Sequence, residues 1–328
     1  MQFSDLFKRK KEKGFLSVEL ITFVFMLFTT VLILIHGDRM PSGGNLLLTR
    51  LWVMLTMVTT LYIYTRYPCR MTIFLRYAPL MFMLIAWYPE NYDFSSLYPN
   101  QDHVFASLEQ TLFGSQPSLT FGEAMPQTFW CEAFCLGYYA YYYMMIAMLA
   151  FYFFCRYDRM EKASFIYLAS FFLFYVVFEF LNVAGPQYYF HAVGVETVQA
   201  GQFPELGYYF QDHLDCIELG HQGLFSKLVA SAQAMGERPA AAFPSSHVGM
   251  STITLMLAWK ARNKWLFGIL LPLHLLLCCA TVYIKAHYLV DAIAGAVVAV
   301  AFYYLTKWLY GWLNNPRRKS ALLFHRGR

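Results

Sequence analysis

Two short strings in the chain hold residue types that can do chemistry. The first is Phe243-Pro244-Ser245-Ser246-His247, immediately before the apolar run Val248 to Trp259. Proline followed by serines at a helix start supplies a fixed φ, a hydroxyl cap and unpaired backbone N–H groups. Together these predict an anion cradle, with His247 in the first turn and within reach of whatever the cradle holds. The bland counterpart is a plain capped helix with an interfacial histidine. The second string runs from Tyr283-Ile284-Lys285-Ala286-His287-Tyr288 through Leu289-Val290-Asp291 to Gly295. His287 and Asp291 are four apart, so on a helix they share a face. The carboxylate then takes one imidazole N–H and leaves the other nitrogen free as a nucleophile. That spacing is common by chance in a chain with nine histidines. Its position carries the weight, because an ionisable pair beside a membrane is a functional hypothesis by default, and Lys285 adds a cation two residues away.

The elements that must position these strings are apolar. Of 328 residues, 58% are hydrophobic, 19% aromatic and only 14% charged, against roughly 25% charged in a soluble domain. Eight apolar stretches stand out: 15 to 36, 45 to 65, 73 to 88, 133 to 155, 164 to 184, 247 to 259, 264 to 284 and 290 to 312. Most reach the roughly 17 to 25 residues that a helix needs to cross a bilayer, and 73 to 88 and 247 to 259 must borrow flanking residues. The fold class is therefore all-α, a polytopic helical membrane protein of about eight spans. Barrels need alternating strands and disorder needs low hydrophobicity; neither pattern is present. The net charge of +5 does not point to nucleic acid, because the basic residues flank spans: Lys8, Arg9, Lys10, Lys11 and Lys13 before the first, Arg317, Arg318 and Lys319 after the last. The basic start reads as a retained first span rather than a cleaved signal, since no small-residue cleavage site follows before His36-Gly37-Asp38.

Charge also sets orientation. Between Arg76 and Arg156 there is no Lys or Arg, while Glu90, Asp93, Asp102, Glu109, Glu123 and Glu132 fall in that interval. Such a connection reads as extracytoplasmic, and eight spans then put both termini in the cytoplasm. Sorted this way, 20 of the 25 basic residues lie inside and five outside: Arg39, Arg50, Lys227, Arg238 and Lys285. His247, His287 and the string Asn182 to Tyr189, with Gln187, then share one extracytoplasmic face. The longest connection, 185 to 246, contains His191, His213 and His221 and is expected to cover or line a site.

Other residues have quieter readings. The seven cysteines, Cys131 and Cys135 among them, form no paired C-x-x-C set and read as packing thiols. Tyr138, Tyr139, Tyr141, Tyr142 and Tyr143 read as an interfacial aromatic belt. Asp102, His103 and Glu109 read as surface groups on an interfacial helix. Glu179 and Asn182 suit helix packing at least as well as headgroup contact, and His274 reads as a packed, hydrogen-bonded histidine.

Pro244-Ser245-Ser246-His247, followed by His287 and Asp291 with Tyr288 and Gly295, resembles the type-2 phosphatidic acid phosphatase superfamily. That family's pattern is Pro-Ser-x-His, then Ser-Arg with a His five residues on and an Asp four after that. The resemblance implies that His287 is the nucleophile forming a phosphohistidine, that Asp291 orients it, and that His247 protonates the leaving oxygen. Through His287-Tyr288-x-x-Asp291, the Gly185-Pro186 turn and Leu112-Phe113-Gly114 with Pro117, the chain is most similar to the inositol phosphorylceramide synthase branch. The family's core helices would be spans three to eight. This divides the chain into 1–72, a basic N-terminus with two additional spans; 73–312, a six-helix catalytic core with extracytoplasmic connections 89–132 and 185–246; and 313–328, a basic cytoplasmic tail.

The chain departs from the family in its cations. The Lys-x6-Arg-Pro string is reduced to Arg238-Pro239, and the Ser-Arg pair falls on Ala280 and Thr281. Candidate phosphate ligands are therefore Ser245, Ser246, Lys285, Arg238, Lys227 and Gln187. No metal or other cofactor is called for, because a histidine nucleophile, a histidine acid and cationic ligands already provide attack, protonation and charge neutralisation. The expected function is transfer of a phospho-headgroup, for example phosphoinositol, from a membrane phospholipid donor to a lipid hydroxyl at the extracytoplasmic face. The first alternative is a lipid phosphatase, with water as acceptor and a lipid phosphomonoester or pyrophosphate as substrate. The second is a catalytically silent lipid-binding or transport protein. No nucleic acid partner is expected, and the sequence names no protein partner.

Overall fold

The computed structural model describes residues 3–9, 14–40, 42–220 and 223–315. Lys10, Lys11, Lys13, His221, Arg317, Arg318 and Lys319, with most of the basic tail, lie outside the described residues. The protein is 77% helical, with fourteen α-helices and no strand among the described residues. In chain order, α1 (Ser17–His36), α2 (Gly43–Arg66) and α3 (Arg70–Trp87) precede three short helices, α4 (Glu90–Ser95), α5 (Asp102–Phe113) and α6 (Pro117–Ala124). After α7 (Thr128–Cys155) and α8 (Met160–Phe180), the long connection carries α9 (Pro186–Val193), α10 (Val195–Gln199) and α11 (Leu224–Gly236). The chain closes with α12 (Ser246–Ala261), α13 (Lys264–Tyr283) and α14 (Leu289–Leu313).

Each of the eight apolar stretches becomes one long helix, but among the described residues six helices are long and apolar enough to cross a membrane. The other two are α3 and α12. The 16 residues of α12 rise only about 24 Å, short of the ~30 Å hydrocarbon core. The 18 residues of α3 contain Arg70, Arg76 and an internal proline, Pro79. α12 is packed by α7, α8, α13 and α14 along most of its length, while Trp259 and Lys260 at its C-terminal end are exposed.

Aromatic side chains fill the core. Phe165, Tyr167, Phe174, Tyr175 and Phe178 of α8 are all buried. Large apolar groups also face outward: Leu34, Leu51, Trp52, Val297 and Trp308 are exposed, the arrangement of a bundle whose surroundings are lipid. Two buried ion pairs join the first helices to the rest. Arg76 of α3 pairs with Glu19 of α1 at 2.6 Å, and Arg50 of α2 pairs with Glu90 of α4 at 2.9 Å. Burial pushes the Glu90 carboxyl up to about 7, against the pull of Arg50.

The acidic connection corrects one expectation. Asp102 and Glu109 are fully buried, not surface groups, because α5 packs against α9 and the start of α14. Its two carboxylates serve backbone donors there. Asn182 does serve packing, donating from Nδ2 to the Tyr98 carbonyl at 2.8 Å. His274 is hydrogen-bonded to Ser251 Oγ at 2.8 Å. All seven cysteines are free thiols.

Candidate active site

Three segments meet over the end of α12: residues 182–187, 238–247 and 284–291. Backbone bonds lace them together. Ala242 N–H donates to the Val183 carbonyl (3.0 Å), Gln187 N–H to the Lys285 carbonyl (2.9 Å), and Ser245 N–H to the Asp291 carbonyl (3.0 Å). The approach is close enough to demand glycine twice. Gly185 has φ +96°, and a Cβ there would stand 2.7 Å from the Ala286 carbonyl oxygen. A Cβ on Gly295 would run into the Ser245 carbonyl. Such a mesh over-determines the loops and fixes the side chains they carry.

Asp102 anchors this mesh. Its carboxylate accepts N–H from Ala184 (2.6 Å) and Gly185 (2.8 Å), the Tyr288 hydroxyl (3.0 Å), and the Asn100 amide. Burial raises the Asp102 carboxyl, and these four donors oppose that rise. Glu109 accepts the Val290 N–H at 3.0 Å, and Asp291 accepts the Tyr288 N–H at 2.9 Å. Two carboxylates thus satisfy the orphan donors at the N-terminus of α14, where the helix dipole favours negative charge.

His287 does not share a helix with Asp291. It lies before α14, and its Nδ1 is 3.8 Å from Asp291 Oδ2. The partner of Nδ1 is instead the Ala242 carbonyl oxygen at 2.8 Å. A carbonyl can only accept, so Nδ1 holds the proton and Nε2 keeps its lone pair. That Nε2 stands 3.5 Å from His247 Nδ1. Burial pushes His287 down to about 4, opposed by the Ala242 carbonyl and by Glu237. The ring is therefore neutral at pH 7.

His247 is held by aromatic rings. Tyr138 stacks on it at 4.8 Å and 23°, and Tyr141 packs at 4.7 Å. These two tyrosines point inward and are buried, so only part of the tyrosine run can belong to an interfacial belt; Tyr143 is exposed. The Tyr138 hydroxyl donates to Glu237 Oε1 at 3.3 Å. Gln187 and Gln233 also hydrogen-bond the Glu237 carboxylate, which burial pushes up. A cavity of about 10 Å³, room for one water-sized group, lies between these residues. His247, His287, Gln187, Glu237 and Arg238 all line it.

The candidate phosphate ligands divide. Gln187 and Arg238 line the cavity, whereas Ser245, Ser246, Lys285 and Lys227 do not. Ser245 spends its Oγ on capping α12, accepting from Val248 N–H at 3.4 Å, and its own N–H on the Asp291 carbonyl. Lys285 adopts φ +63°; burial lowers its ammonium, with Glu123 opposing. Lys227 is exposed on α11. Glu237 and Gln233 escaped sequence reasoning, which read Tyr138 as a belt residue and Asp102 as a surface group. For Glu237 the available signal was its place beside Arg238-Pro239. Among the described residues, no group of three or more His, Cys, Asp or Glu side chains is arranged to hold a metal ion.

A family model described as the PAP2 superfamily matches residues 103–305, more than half of the chain. The chain belongs to the PAP2 superfamily. Members of the PAP2 superfamily are phosphatases or phosphotransferases. The matched PAP2 region runs from α5 into α14 and holds His247, His287, Asp291 and Glu237. No curated protein and no solved structure matched the chain.

Proposed function

We propose that this chain is an integral membrane lipid phosphotransferase working through a phosphohistidine on His287, of the kind the inositol phosphorylceramide synthase-like reading implies. The observation that carries this is the His287 Nδ1 to Ala242 carbonyl bond at 2.8 Å. It leaves a neutral Nε2 lone pair facing His247. In the first half-reaction Nε2 attacks phosphorus, the P–N bond forms, the P–O bond to the donor lipid breaks, and the departing oxygen takes a proton from His247, which enters this step as imidazolium and leaves it neutral. In the second, an acceptor hydroxyl gives its proton to His247 as its oxygen attacks phosphorus; the P–N bond breaks and His287 is restored. Because His287 Nε2 and His247 Nδ1 lie 3.5 Å apart, an incoming phosphorus must part them. Asp291 acts through the loop, by holding Tyr288 N–H beside the nucleophile.

Charge supports transfer from a phosphodiester. The cavity is lined by a single guanidinium, Arg238, together with the Glu237 carboxylate. A phosphodiester brings one negative charge where a phosphomonoester brings up to two, and a carboxylate in the wall penalises the second. The phosphatase reading keeps one observation in its favour: the cavity as it stands admits a water-sized group. Incubating purified protein with mixed phospholipids, with and without a ceramide or diacylglycerol acceptor, tests the choice by product mass. A new phospholipid that requires the acceptor supports transfer; headgroup release unaffected by acceptor contradicts it.

A further inference from the structure

The opposite end of the bundle contains a second, larger hollow of about 260 Å³ between α7, α8, α12 and α14. Arg159, Lys162, Lys260 and Lys307 line it together with apolar groups such as Ile166 and Leu257. Lys260 stands thirteen residues beyond His247 on α12, roughly 20 Å along the helix axis, so this is a separate site.

The charge of its lysines is uncompensated. Arg159 Nε lies 3.5 Å from the largely exposed Asp158. Among the described residues, Lys162, Lys260 and Lys307 have no carboxylate within ion-pair distance. Lys162 and Lys307 lie over aromatic rings instead, those of Tyr310 (5.9 Å) and Tyr304 (5.5 Å). Topology rules favour cations on one side of a membrane, but they do not require them to converge from three helices on one hollow. Like charges gathered against apolar walls repel unless an anion joins them. The surroundings identify the source of that anion. Trp259, Tyr304 and Trp308 are exposed beside the lysines, as interfacial aromatics are at headgroup level.

We propose that this hollow binds the headgroup of an anionic phospholipid, with the acyl chains running along the lipid-facing side of α14. Basic pockets between membrane helices recognise anionic headgroups by the same combination of charge and apolar wall. This does not depend on the catalytic reading, because the two sites share only helices.

The test is thermal unfolding of the full-length protein in uncharged detergent, titrated with dioleoyl phosphatidylglycerol, dioleoyl phosphatidylcholine or inorganic phosphate. Phosphatidylglycerol is expected to raise Tm, and the other two to leave it unchanged at the same concentrations. In the triple variant Lys162→Gln, Lys260→Gln, Lys307→Gln the midpoint concentration should rise on the order of a hundredfold, from roughly fivefold per lysine. If the triple variant fails to fold, each single variant should still show roughly that fivefold rise. His287→Ala should keep the wild-type midpoint. An equal response to phosphatidylcholine or to inorganic phosphate overturns the proposal. So does an unchanged midpoint in the lysine variants, and so does a response lost in Arg238→Gln but kept in the triple variant, which places the lipid at the catalytic cavity instead.

Discussion

A histidine whose Nδ1 proton is committed to a backbone carbonyl has one nitrogen left to act with, and at His287 that nitrogen faces a second histidine. Burial holds His287 down to about 4, well below the roughly 6.5 of a free imidazole. Protonation removes the lone pair, so activity is lost as pH falls. The acid limb of kcat/KM should therefore lie toward about pH 4; a midpoint near 6.5, the ordinary value, contradicts the buried, neutral nucleophile. The same shift makes folding stability decline as pH drops from about 6.5 toward about 4, because the unfolded chain takes up the proton that the folded one refuses. Glu237 gives a second test at this scale. Glu237→Gln removes the wall charge, and hydrolysis of phosphatidic acid relative to diester transfer should rise at least about tenfold. Equal loss of both activities would mean that Glu237 only supports the fold.

At the scale of elements, the nucleophile loop depends on α5. Asp102→Ala leaves four buried donors without an acceptor, and such losses cost roughly 3 to 5 kcal/mol when a buried charged group is removed. The expected outcome is a lowered Tm and at least about a tenfold fall in turnover, while Tyr288→Phe, which removes one of the four bonds, should cost only about 1 kcal/mol. A wild-type Tm in Asp102→Ala would sever α5 from the site. This dependence also marks where the sequence stopped being legible. Hydrophobic runs are local, so all eight stretches could be read and each became a helix. The strings around His247 and His287 were legible for the same reason, and the Gly185-Pro186 turn with them. What escaped were contacts between distant positions. Tyr288 and Asp102 are 186 residues apart, and Tyr138 and Glu237 are 99 apart. Composition places Asp102 and Glu109 on a surface, since carboxylates are seldom buried unless they are paired. Here the backbone N–H groups of α14 and of the Gly185 turn are the partners, and no local pattern announces them. The short α12 misleads in the other direction, since its apolar run reads as a span while its 16 residues are not among the helices long and apolar enough to cross a membrane.

At the scale of the whole molecule, the Lys260 hollow and the His287 site lie at opposite ends of the bundle, and we expect them to face opposite sides of the membrane. In the orientation we propose from the partition of 20 basic residues against five, the Lys260 end faces the cytoplasm and the His287 end faces outside. Single cysteines at Gln199 and Lys264, both exposed, in a background without accessible native thiols, should separate the faces. A membrane-impermeant maleimide on intact cells should label position 199 and spare 264. Labelling of 264 alone would invert the protein, and labelling of both would mean that α12 does not carry the chain across.

The central claim is covalent and can be caught directly. Purified protein mixed briefly with a phospholipid donor, quenched in base and digested, should yield a peptide containing His287 that carries an acid-labile phospho-headgroup. The adduct should be absent from His287→Ala, and that variant should lose essentially all turnover while remaining folded. A bare phosphoryl adduct on His287 would convert the transferase into a phosphatase. Turnover in His287→Ala, or an adduct on another residue, would contradict the mechanism.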